Sequence, residues 1–199
     1  MSLGGTEKRS TVRPSRKTRR YAQRVTDAQE IHTTRLRLAL MRTEALSSLL
    51  EGDAVTAGEF QGVAIPSAFL DSVNESFLTR YLEQMLLRPS RQGWGVRAII
   101  REHDGLVIGH CGFHGPPEVI GRAEIGYTIF EAYRENGYAT EAARGLVDWA
   151  RLQGSKVVFA AVSPNNPSSL RVIEKAGFRR TTVQVDEIDG EEYVFEVSL

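Results

Sequence analysis

From Glu124 to Glu141 the chain reads Glu-Ile-Gly-Tyr-Thr-Ile-Phe-Glu-Ala-Tyr-Arg-Glu-Asn-Gly-Tyr-Ala-Thr-Glu, an alternating run that passes through a short polar loop into a helix-forming stretch. A loop at such a junction offers backbone N–H groups with no partner inside the helix, and the helix macrodipole adds positive potential there. The place suits an anion, and a diphosphate fits it. Gly137 lets a ligand approach the backbone without a Cβ in the way, Ala139 keeps the first turn slim, and Arg134 supplies a cation for phosphate oxygens. The same spacing, Arg-x-x-Gly-x-Ala, also describes an ordinary helix begun by glycine, so the residues alone leave both readings open.

Two further clusters carry chemistry-bearing side chains. His110-Cys111-Gly-Phe-His114 invites a metal reading. At about 3.3 Å per strand residue, however, the two imidazoles lie some 13 Å apart along one face and the thiol points to the other, so one ion cannot reach all three. No metal site is expected. Cys111 is also a poor nucleophile, because no activating partner is identifiable and a lone strand cysteine usually packs in a core. His32 and His103 fall near element ends and suggest nothing specific. The second cluster is Asn166-Pro167-Ser-Ser169, the order of a helix cap followed by proline.

These residues need elements to hold them. Leu36, Leu38 and Leu40 alternate with Arg37 and Ala39 as in a half-buried strand beginning at Thr33. Residues 43–51 and 72–87 read as helices, and the intervening 52–67, low in charge and carrying Gly58, Gly62 and Pro66, reads as a loop covering a cleft. Strands are expected at 96–101, 106–113 and 124–130, the first pair joined by Asp104-Gly105. A helix follows over 137–153, with Gly154 as its stop. Residues 157–162 are apolar on both faces and predict a central, covered strand. A short helix then runs from Asn166 to Gly177, and 178–188 pairs with 191–197 as a final hairpin. The order β-α-α-β-β-β-α-β-α-β-β predicts an α/β (α+β) fold, a mixed and mainly antiparallel twisted sheet flanked by helices.

At 199 residues and 22.1 kDa there is room for one domain and a tail. Lys+Arg and Asp+Glu balance at 25 each, but residues 1–24 hold eight cations against Glu7, which leaves 17 cations and 24 anions for the remainder. Residues 1–26 have almost no apolar content to offset the entropy of ordering, so they are expected to be a disordered basic tail, with 27–199 as the single domain. The basic start lacks the apolar stretch of a signal peptide, no run approaches the roughly 18 apolar residues of a membrane span, and Cys111 has no intramolecular disulfide partner. A cytoplasmic protein is expected.

Arg134-Glu-Asn-Gly137-Tyr-Ala139-Thr-Glu-Ala resembles the acetyl-CoA pyrophosphate loop of the GNAT acetyltransferase superfamily, whose pattern is Arg/Gln-x-x-Gly-x-Gly/Ala. Asn166-Pro-Ser-Ser169-Leu-Arg-Val-Ile-Glu-Lys175-Ala-Gly177-Phe178 is similar to its second cofactor motif. Thr33-Thr-Arg-Leu-Arg-Leu and Glu124-Ile-Gly-Tyr are similar to the RimJ/RimL-like branch, and the resemblance covers roughly residues 32–198. It implies acetyl-CoA as co-substrate, with no metal. It further implies a backbone contact from Ile129 to the pantetheine arm and the loop of Arg134, Asn136, Gly137, Tyr138, Ala139 and Thr140 on the pyrophosphate. Asn166 and Ser169 would face the pantetheine and the thioester sulfur. An N-cap role accounts for Asn166 equally well. Many relatives carry a tyrosine general acid seven residues after this asparagine, where this chain has Ile173, so Ser169, directly or through water, becomes the candidate proton donor.

The implied reaction, transfer of acetyl directly to a primary amine without an acyl-enzyme, requires the amine to be neutral. An α-amine of pKa about 7.7–8.0 is roughly a tenth neutral at pH 7, far more than a lysine at about 10.4. Glu124 is the candidate base, since partial burial raises a carboxylate towards a useful pKa; a solvated strand-end carboxylate is the plainer reading. The acceptor is not legible, because acceptor pockets in this superfamily come from variable loops, here 52–71 and 114–122. A protein N-terminus and a small-molecule amine both remain open. The competing class is a non-catalytic acyl-CoA sensor whose basic tail contacts RNA or the ribosome through phosphates. Oligomeric state is not readable.

Overall fold

Leu36, Leu38 and Leu40 do form a strand, but it is covered on both faces rather than half-buried. Leu36 and Leu38 face one apolar cluster, whereas the neighbouring Ala39 and Met41 face another. The sheet is therefore the middle of three layers, and its central strands have no solvent side on which alternation could show. The computed structural model describes residues 30–72, 75–87, 93–117, 121–186 and 190–199. The expected tail, residues 1–26, lies outside the described residues.

In chain order the strands are β1 (Ile31–His32), β2 (Leu36–Leu40), β3 (Val96–Arg101), β4 (Leu106–Phe113), β5 (Ala123–Ile129), β6 (Val157–Val162), β7 (Arg179–Asp186) and β8 (Gly190–Ser198). The helices are α1 (Thr43–Leu50), α2 (Ala54–Gln61), α3 (Ser67–Ser72), α4 (Glu75–Leu87), α5 (Tyr138–Leu152) and α6 (Pro167–Lys175), with a 3-10 turn at Glu131–Tyr133. The sheet order is β1-β2-β3-β4-β5-β6-β8-β7, and every adjacent pair is antiparallel except β5 with β6. The mixed, mainly antiparallel sheet flanked by helices that the sequence predicts is thus the observed architecture.

The 52–67 segment departs from expectation. Half of it is helix α2: the Asp53 carboxylate accepts from the Thr56 amide at 2.9 Å as an N-cap, and Gly62 closes the helix in the left-handed region at φ 76°. Of the residues that suggest a loop, Gly62 is the stop of α2 and Pro66 precedes α3, while Gly58 lies within α2 next to the buried Ala57. The helix expected over 72–87 is preceded by a separate short helix, α3, whose Phe69 is fully buried.

Helices α5 and α6 cover one sheet face, where Leu146, Ala150 and Ile173 join Ile125, Ile129 and Val158. The other face carries α1, α2, α3 and α4, with Leu46, Ala57, Phe69 and Leu78 on Ala98 and Ile100. Among the described residues one charged side chain is buried, on the α5 side of the sheet. Arg97 on β3 is fully buried, donates to the carbonyls of Gly93 (2.7 Å) and Gly95 (3.1 Å), and lies 4.7 Å from the Trp149 ring centre. Burial pulls its pKa down to about 10.

Candidate active site

Strands β5 and β6 run parallel but pair only at Ala123↔Val158 and Glu124↔Phe159 among the described residues. From Ile125 onward the two diverge, which leaves β6-facing backbone groups of β5 without a ladder partner there. Their carboxyl ends lead through short connections to α5 and α6, so two helix N-termini flank the mouth of the opening. The opening therefore lies at the carboxyl ends of the sheet's one parallel pair among the described residues.

The loop at the mouth is shaped by its backbone. Glu135 is the one non-glycine residue with positive φ (65°) among the described residues, and Gly137 follows at φ 78°. Alternating left-handed residues turn successive amides toward one side, which makes a concave anion site. A Cβ on Gly137 would come no closer than 3.6 Å to another heavy atom, the Nη2 of Arg35. Glycine is therefore needed within the protein for its φ rather than for space. Asn136 ties the loop to itself, its Nδ2 donating to the carbonyls of Arg134 (2.8 Å) and Tyr133 (3.2 Å). Arg134, expected to face phosphate, donates its Nε to the Ile129 carbonyl at 3.1 Å, while its side chain stays exposed. Ile129 closes β5 and is nearly buried. Tyr138, Ala139 and Thr140 form the first turn of α5.

A second tie holds this loop from outside, and the sequence reading missed it. The Glu141 carboxylate accepts from the Thr33 hydroxyl, the Arg35 amide and the Arg35 Nε, each at 2.7 Å, and pairs with the Arg35 Nη2 at 2.7 Å. Arg35 also donates to the Asn136 carbonyl at 3.1 Å and lies 4.6 Å above the centre of the Tyr138 ring. Burial works to raise the Glu141 pKa, but the bonds from Thr33 and Arg35 outweigh it and hold the carboxyl below its ordinary value. The β1–β2 turn comes close enough to α5 because residue 145 is glycine; a Cβ there would meet Thr33 Cγ2 at 2.9 Å. No local pattern could reveal the contact, since Arg35 and Glu141 are 106 residues apart.

The expected reactive groups lie on opposite faces of β5. Glu124 is on the α1–α4 side, its Oε1 3.4 Å from His114 Nδ1, and the His114 ring packs against Phe77 of α4 with centroids 5.1 Å apart. On the same side His110 reaches the Ser72 hydroxyl of α3 at 3.1 Å, and burial drags its pKa down to about 4. Cys111, between these histidines, points to the other layer and is buried, which pushes its thiol up to about 12. On the α6 side, Asn166 Oδ1 accepts from the Ser169 amide at 3.0 Å, so its side-chain oxygen is spent as the cap of α6. The Ser169 hydroxyl is 2.7 Å from the phenol oxygen of Tyr127. Ile173, seven residues after Asn166, is fully buried in the core. The sequence signal for Tyr127 is strand alternation, which puts it on the face opposite Glu124.

Similarity to known proteins follows the same residues. A family model described as "Acetyltransferase (GNAT) domain" matches residues 35–179. The uncharacterized N-acetyltransferase YjdG of Bacillus subtilis is 31% identical over 101 residues, 49% of this chain, and the match spans 60% of that relative's length. Among solved structures, RimL, a ribosomal α-N-protein acetyltransferase in complex with coenzyme A, superposes with TM-score 0.60 at 13% identity, covering 85% of this chain and 98% of that one. The self-immunity acetyltransferase MccE, in complex with acetyl-CoA and AMP, does so with TM-score 0.57 at 17% identity, covering 83% and 93%. No helix among the described residues is long and apolar enough to cross a membrane. With the family model spanning most of the chain on a sheet that opens between β5 and β6, this protein belongs to the GNAT family of acetyltransferases.

Proposed function

We propose that the chain is an acetyl-CoA-dependent N-acetyltransferase that moves the acetyl group directly to a primary amine, either a protein N-terminal α-amine or a small-molecule amine. The observation that carries this reading is the opening between β5 and β6, with a hydroxyl on one side and a carboxylate on the other. The residues present suit acetyl-CoA. Amides of residues 134–140 would take the diphosphate at the N-terminus of α5, and the unladdered edge of β5 would pair with the amide-bearing arm. The reaction exchanges one proton for another, since the amine loses one and the leaving sulfur gains one. Glu124 accepts from the amine on the α1–α4 side, and Ser169 donates toward the sulfur on the α6 side. Cys111, buried and with a raised thiol pKa, is no site for an acyl-enzyme.

The acceptor enters from the side of α3 and α4, where Ser72 and Phe77 pack on His110 and His114. An acetylation screen across N-terminal peptides, amino acids, polyamines and aminoglycosides, read by thiol release, tests the activity. With an accepted amine in hand, Glu124→Gln keeps size and hydrogen bonding but removes basicity. Turnover at pH 7 is expected to fall about 10²–10⁴-fold with acetyl-CoA affinity retained, and the deficit should shrink as pH rises and more amine is neutral unaided. Near-normal turnover of that variant removes Glu124 from the role, and no thiol release with any amine overturns the activity itself.

A further inference from the structure

Helix α6 carries no tyrosine and its Ile173 is buried in the core, yet a phenol stands on the α6 side of the opening. It comes from a different element. Tyr127 lies on the stretch of β5 that has parted from β6, and its oxygen is 2.7 Å from Ser169 Oγ and 3.3 Å from the Ser169 carbonyl. Most of the ring is buried, packed against the cluster that also holds Ile125 and Ile129. The serine's amide is already committed, since it donates to Asn166 Oδ1.

Resting on the acetyltransfer reading above, we infer that Tyr127 is the positioning residue of the proton donor: its phenolic O–H is donated to Ser169 Oγ, which leaves the single Ser169 hydroxyl proton free to point at the leaving sulfur. The direction follows from acidity. A phenol is a far stronger acid than an alkyl alcohol, so in a phenol–alcohol pair the phenol donates and the alcohol accepts. Burial raises the Tyr127 pKa, with the Ser169 bond opposing it, so the phenol keeps its proton at neutral pH. An alcohol that accepts one hydrogen bond is also polarised into a better donor of the next. No proton leaves Tyr127 in the cycle. When the carbon–sulfur bond breaks, its electron pair goes to sulfur, the Ser169 O–H hydrogen-bonds that charge, and the proton sulfur finally gains equals the one the amine lost. The helix seats Ser169 and the strand aims it.

Tyr127→Phe removes the phenolic oxygen and leaves the ring. Circular dichroism and melting temperature first establish that the variant is folded. Its kcat is expected to fall about fivefold to tenfold, the worth of one neutral hydrogen bond, with KM for acetyl-CoA within about twofold. Ser169→Ala should lose as much or more, and adding Tyr127→Phe to it should cost nothing further, because the phenol acts only through that hydroxyl. An additive loss, a loss confined to KM, or unchanged kcat overturns the inference while leaving the acetyltransferase reading intact. A second measurement does not depend on turnover. Coenzyme A is titrated in the presence of each protein, and thiolate formation is followed by ultraviolet absorbance. Wild-type protein should lower the pH at which bound thiol ionises, and both Tyr127→Phe and Ser169→Ala should raise it again. The same thiol titration in wild type and Tyr127→Phe refutes the role of Tyr127 even if no amine acceptor is found.

Discussion

Replacing Glu141 by glutamine tests whether the contact between the β1–β2 turn and α5 holds the candidate cofactor loop. The carboxylate is the common acceptor for the Thr33 hydroxyl, the Arg35 amide and the Arg35 guanidinium. Glutamine retains one acceptor oxygen but turns an NH₂ toward donors, so at least one charge-assisted bond is lost and one donor faces another. A bond to a charged group contributes about 1.5–3 kcal/mol. The guanidinium is 46% exposed, which discounts the ion-pair part, while the carboxylate at 15% is well shielded, so a net loss of about 2 kcal/mol is expected. For a chain of this size that corresponds to a melting temperature lower by about 4–8 °C. The pH dependence separates this from a packing defect. The folded carboxyl sits below its ordinary value, so its stabilisation is complete above the unfolded carboxylate range and is lost as pH falls through the folded value. Melting curves of wild type and Glu141→Gln should therefore be well separated at pH 7 and converge in acid. A gap under about 1 °C at pH 7, or one that stays constant down to pH 3, refutes the reasoning.

Gly137→Ala should cost about 1–2 kcal/mol, read as about 2–8 °C in melting temperature, because φ 78° is left-handed and the space itself is open; an unchanged melting temperature would show that the loop needs no glycine there. His110 is held neutral by burial, so the native state resists a proton that the unfolded chain binds. Stability should be complete above the unfolded histidine range near pH 6.5 and decline as pH falls toward 4, by about 2 kcal/mol at pH 5 relative to pH 7.5. Denaturant unfolding of wild type and His110→Gln over that range checks it, and equal pH slopes contradict it.

Elements whose signals are local were legible in the sequence. Residues 96–101, 106–113 and 157–162 are strands over the expected bounds, because each is a short apolar run ended by turn residues. Asn166 caps α6 as its place before proline indicates. The helix within 52–67 was not legible, since a glycine such as Gly62 that ends a helix also marks a loop, and only burial of Ala57 favours the helical alternative.

The motif spanning Glu124 to Glu141 determined by itself that a strand would pass through a polar loop into a helix N-terminus, because propensity and alternation act between neighbours in the chain. Tertiary structure alone decided which distant groups complete that site. Arg35 meets Glu141 because Gly145 lets a hairpin approach α5, and Tyr127 meets Ser169 because β5 and β6 part beyond their first two pairs. It also decided that Arg97, charged and fully buried, closes the layer beside Trp149. Hydrogen bonds and burial reward proximity in space, and the spacing of residues along a chain does not encode it.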